Sequence, residues 1–146
     1  MRLTDDDARN RLAAHDHGVL CTVHPVRGVD AVPVSFAVDD EGFVAVPVDL
    51  VKPKGSLRLQ RERNLDADPR ATLLVESWNP DDWSQLWWVR AELIRHIDAD
   101  VHATGLREGA LATSLADRYP QYRSRPFYSL LVLRIVGITG WAASER

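Results

Sequence analysis

The chain has 146 residues, enough for one domain around one core, with 45% hydrophobic and 27% charged residues. That balance excludes disordered, collagen-like and fibrous chains, and a net charge of −3 argues against a general nucleic-acid binder, whose affinity rests on neutralising phosphates. A lone cysteine, Cys21, rules out an internal disulfide and a cysteine-pair zinc site.

The N-terminal residues from Met1 to Asp7 are too acidic for a secretory leader and no apolar stretch follows them. The apolar run from Leu130 to Leu133 is cut by Arg134, far short of a bilayer span. A cytoplasmic protein without membrane contact is expected. Thr4 and Asp7 read as a capping box, Leu3 and Ala8 as its hydrophobic staple, and Gly18 as the stop of a first helix from about Asp5 to His17. Strand signals follow: Val19 to His24, a turn at Val26-Arg27-Gly28, then Ala31 to Val38. In this last stretch Val32, Val34, Phe36 and Val38 face one way, and Ala31, Pro33, Ser35 and Ala37 the other. A turn at Asp39 to Gly42 leads into a strand from Phe43 to Val48. A second helix is expected over Ser56 to Leu65, capped by Ser56 and ended by Asp66-Ala67-Asp68-Pro69.

Ala71 to Ser77 reads as a strand, Trp78 to Asp82 as a polar loop, and Leu86 to Ile97 as a long strand. A third helix runs from about Leu106 to Arg118 with Leu111, Leu115 and Tyr119 on its buried side, stopped by Pro120. The last strand spans Phe127 to about Ile138. Consecutive hairpins with flanking helices predict a mainly β fold. Six antiparallel strands in so short a chain close best as a barrel, in one domain over residues 1–146. Pro33 and Pro47 suit edges or bulges, as in an incompletely closed barrel.

Three features could carry chemistry. Lys52-Pro53-Lys54-Gly55-Ser56 holds the chain's two lysines beside a helix start, where backbone N–H groups and the helix dipole favour an anion. Arg58 and Arg61 extend the charge, although a solvated basic loop would look the same. The small face of Ala31, Pro33, Ser35 and Ala37 is flat enough for a ring system or another subunit, or it is a plain solvent face. Among the five tryptophans, Trp87 and Trp88 point to opposite faces of one strand, so one of them lies outside the core, at an interface or a pocket. His15 and His17, two apart on a helix, do not share a face and are set aside as a metal pair. His24, His96 and His102 lack ligand spacing, and Asp81-Asp82 reads as solvated. No residues are expected to hold a metal, and no GxGxxG or P-loop is present.

Taken in order, several stretches resemble the pyridoxamine 5′-phosphate oxidase-like split β-barrels, and among them the deazaflavin (coenzyme F-420)-dependent reductases. They are Thr22 to Pro25 with Gly28 and Val32 to Phe36, Lys52-Pro53-Lys54 with Asn64 to Ala71, Asp82 to Arg90, and Gly140-Trp141. The resemblance implies a homodimer with cofactors at the subunit interface. It implies that the backbone near Asp30, Val32, Pro33 and Val34 lies along the cofactor ring, with Val48 and Asp49 close by. Lys52, Lys54, Arg58 and Arg61 would hold the phosphate, with Asn64, Trp88 and Trp141 completing the site. The family often carries a lysine three residues before the helix asparagine. Here Arg61 stands there, which keeps the charge and changes the geometry. The implied activity is hydride transfer from reduced F-420 to an unsaturated small molecule. The alternatives are an FMN-dependent oxidase or reductase of the same fold, or a non-catalytic protein binding a flavin, deazaflavin or tetrapyrrole.

Overall fold

The computed structural model describes residues 1–49, 59–97, 101–124 and 127–144. In chain order the elements are α1 (Asp5–Ala14), β1 (Gly18–His24), β2 (Gly28–Val34), β3 (Ala37–Val38) and β4 (Phe43–Asp49). They continue with α2 (Gln60–Ala67), β5 (Arg70–Asn79), β6 (Asp82–Arg95), α3 (Val101–Arg118), α4 (Gln121–Ser124) and β7 (Phe127–Ala142). All ladders are antiparallel, in the order β2-β1-β5-β6-β7-β4-β3.

The sheet therefore has seven strands and is open, where six strands closed as a barrel were expected. The extra strand arises because the stretch from Ala31 to Val38 is broken at Ser35 and Phe36. Ser35 Oγ shares a hydrogen bond of 2.8 Å with the Tyr122 hydroxyl, and the Phe36 N–H donates to the Tyr119 hydroxyl at 3.3 Å. Those partners replace a strand neighbour. Only two residues separate β2 from β3, yet the two strands stand at opposite ends of the sheet. The sheet must roll so that its ends meet, and no ladder joins them across this seam among the described residues. Pro33 falls on the terminal strand β2, and Pro47 falls on β4 beyond Ala45, where β3 no longer pairs with it. Both prolines thus sit on strands with a free edge, where proline is tolerated.

The inside of the roll is apolar. Leu20, Val34, Val46, Leu73, Val75, Val89, Leu93 and Leu133 line it, with Ala8 and Leu12 of α1 and Leu65 of α2 packed in. A side chain at Gly140 would stand 2.8 Å from Leu3 Cδ1 and 3.3 Å from the Ala8 Cβ, so glycine here lets the start of the chain lie close on β7. A second cluster lies beyond the sheet: Leu111 and Leu115 of α3 cover Ala37, Phe43, Ala45 and Val132. Ala37, expected on a flat open face, is fully buried there.

Helix boundaries shift for physical reasons. Thr4 Oγ1 accepts the Asp7 N–H at 3.2 Å, as a cap should. However, α1 stops at Ala14, and His15 is already extended. Arg118 and Tyr119 donate to the His15 and Asp16 carbonyls, drawing the chain out of the helix, and Gly18 opens β1 instead of ending α1. The start of α2 is set by Glu62, whose carboxylate accepts the Leu59 N–H at 2.8 Å. The expected cap Ser56 lies outside the described residues. The expected polar loop at Trp78 to Asp82 is a tight hairpin in which Asp82 accepts from Ser84 and Gln85.

Candidate functional site

The seam is the place where this fold leaves backbone unpaired and brings distant residues together. As the terminal strand, β2 presents one row of N–H and C=O groups without a ladder partner among the described residues. The far end of β4 does the same on its β3 side. The helix α2 ties the two edges. The Asn64 amide donates to Asp30 Oδ2 of β2 at 2.9 Å, and Arg61 Nη2 donates to the Pro47 carbonyl of β4 at 3.2 Å. These two residues are three apart, on one face of the helix.

The expected site residues divide accordingly. Asp30 turns its side chain toward α2 and is held by Arg27 at 2.8 Å as well as by Asn64. Those bonds, Arg27 first, keep its carboxyl below the ordinary range. Asn64 is fully buried and also donates to Thr22 Oγ1 at 2.9 Å, so its side chain ties α2 to β1 and β2. Val32 is half-buried, Val34 and Val48 point into the core, and Pro33 is exposed on the opposite face. Asp49 ends β4 beside a bulge at Val48. Lys52, Lys54 and Arg58 lie outside the described residues. The helix start they were expected to exploit is farther along the chain, and its first turn already holds the buried Glu62 carboxylate.

Trp88 and Trp141 face each other on neighbouring strands β6 and β7, on the outer side of the sheet, with Arg90 over the Trp88 ring at 5.6 Å. Trp87 packs against the inner core, as opposite-face alternation requires. The seam residues and this tryptophan pair thus occupy different surfaces of one protomer. On the outer side, an open apolar cleft of about 410 Å³ is lined by Cys21, Val23, Val29, Thr72, Ile94 and Val136, among others. Val29 is 68% and Val136 53% exposed. Burial raises the Cys21 thiol above its usual value, so it is no ready thiolate.

Sequence reasoning missed Thr22, Arg27 and Pro47 as partners of this arrangement. Thr22 had a signal: it occupies an inward position two after Leu20, where a polar residue needs a buried partner. Among the set-aside histidines, His24 Nδ1 accepts the Val26 and Arg27 N–H groups in the turn, and His96 stacks edge-on to Phe43.

No family model matches the sequence, and no curated protein matches it. Solved structures do. An FAD-binding protein from Mesorhizobium loti matches with a TM-score of 0.71 at 15% identity, over 96% of this chain and 93% of that one. HutZ, the heme storage protein from Vibrio cholerae, matches with a TM-score of 0.62 at 13% identity, over 94% of each chain. A candidate pyridoxamine 5′-phosphate oxidase from Corynebacterium glutamicum matches with a TM-score of 0.57 at 14% identity, over 96% of this chain and 94% of that one. This chain has their fold.

Proposed function

We propose that the chain is an oxidoreductase that holds a flavin-type ring cofactor along the β2 edge of the seam, with coenzyme F-420 the cofactor it takes. The observation that carries the reading is the pair of unladdered strand edges bridged by Arg61 and Asn64. Exposed backbone donors and acceptors on an edge strand suit the ring's own row of polar atoms, and a rigid tie behind them holds their positions. Lys52, Lys54 and Arg58 precede α2 in the sequence and would neutralise the cofactor phosphate. Since Glu62 fills the first turn of α2, these cations carry more of that task than the helix start does.

When bound, a reduced deazaflavin supplies a hydride for an unsaturated small molecule. The chain's own part is to orient the ring and exclude water. The fold likeness to an FAD-binding protein supports a flavin-type ligand, and FMN is the nearest alternative to F-420. The likeness to HutZ favours one second reading, a protein that binds a tetrapyrrole without turnover. Reduced F-420 mixed with the protein and a panel of electron-poor alkenes and tetrapyrroles should be oxidised in proportion to product. Tight binding with no turnover on any acceptor would leave the storage reading in its place.

The seam and the Trp88–Trp141 pair meet around one ligand when a second copy covers the outer face, so the proposal includes a homodimer. Sedimentation velocity should give a dimer, and joint Val29→Lys and Val136→Lys substitution should give monomers. A monomeric wild-type protein would remove the dimer from the account.

A further inference from the structure

We propose that His15, Asp16 and His17 form a surface site for a divalent transition-metal ion of the zinc class. Helical spacing had argued against these histidines, but the helix ends at Ala14, His15 is extended and the chain bends at Asp16, which brings the two imidazoles together. The imidazole rings stand 5.6 Å apart, centroid to centroid. One ligand atom from each of the three side chains lies within 4.8 Å of the others, and His17 Nδ1 is 2.7 Å from Asp16 Oδ1. Ligand atoms around a tetrahedral zinc ion stand about 3.3 Å apart, given bonds of roughly 2.0–2.2 Å. Small ring and carboxylate rotations therefore bring this set onto one ion. Two imidazoles and a carboxylate are a recurrent zinc set, with the fourth position left to water or a further ligand.

The local frame is fixed from outside the segment. Arg118 donates to the His15 carbonyl and Tyr119 to the Asp16 carbonyl, so the end of α3 clamps the backbone that carries the ligands. The Trp87 ring meets His15 edge-on at 5.3 Å, restricting that imidazole. Such outer contacts hold first ligands in place. Asp16 and His17 are 77% and 71% exposed at the side chain, so an ion reaches them without unfolding anything. The site owes nothing to the seam and stands whether or not a flavin-type cofactor binds.

Trp87 supplies the readout. Tag-free full-length protein would be titrated with Zn²⁺ by calorimetry and with Cu²⁺ by tryptophan fluorescence. One equivalent of Zn²⁺ is expected to bind, and Cu²⁺ is expected to quench a signal that Trp87→Phe removes. His17→Gln and Asp16→Asn, both at exposed side chains, should each weaken Zn²⁺ binding at least about tenfold, while His24→Gln should leave it unchanged. Absence of Zn²⁺ binding in the wild type, or binding indifferent to both His17→Gln and Asp16→Asn, would overturn the assignment.

Discussion

Asn64 shows how one side chain fixes the region. Its amide donates to Thr22 and Asp30, and its carbonyl oxygen accepts from Gln60 Nε2 at 2.9 Å, all from a fully buried position. Asn64→Ala leaves the buried Thr22 hydroxyl short of a donor and should cost about 2–3 kcal/mol, read from urea unfolding with an unchanged slope. Asp68 makes a pH prediction. Its bonds to the Arg70 side chain and N–H lower its carboxyl from 3.8 to about 2. A depressed folded value means the contribution is present above about pH 4 and is lost as pH falls toward 2. Melting temperatures should accordingly place Asp68→Asn below the wild type at pH 7, with the gap closing as pH falls through that window. A gap that persists at pH 2 would mean the carboxylate charge is not the cause.

At the scale of elements, the strands were legible and their interruptions were not. Alternation in β1 and β5 follows from one buried face, which residue spacing reveals directly, whereas β4 is buried on both faces. The break at Ser35-Phe36 is imposed by the hydroxyls of Tyr122 and Tyr119, and the end of α1 by Arg118 and Tyr119. These partners are distant in sequence, so no local pattern announces them. The start of α2 is set locally instead, by the Glu62 carboxylate accepting the Leu59 N–H three residues before it. It follows from the distant partners that α3 matters beyond its own core. Leu115→Ala, at a fully buried position, should cost about 3 kcal/mol. Because α3 carries the clamp, amide hydrogen exchange should also rise at His15 to His17 and at Phe36. Exchange confined to α3 itself would show that the clamp is not needed.

At the scale of the whole molecule, rolling an antiparallel sheet until its ends meet creates the seam. The position of both prolines at free edges was readable, because proline avoids a paired interior. That α2 bridges those edges was not readable, since it depends on which residues the roll brings face to face. Among the described residues no helix is long and apolar enough to cross a membrane. The measurement that tests the central claim most directly is a titration of the purified protein with F-420, and separately with FMN, followed by tryptophan fluorescence. Quenching by F-420 at micromolar concentrations or below is the expected result, weakened at least about tenfold by joint Lys52→Ala and Lys54→Ala substitution, as loss of charge-assisted phosphate contacts requires. Binding of neither cofactor, or F-420 binding indifferent to both lysines, would contradict the account.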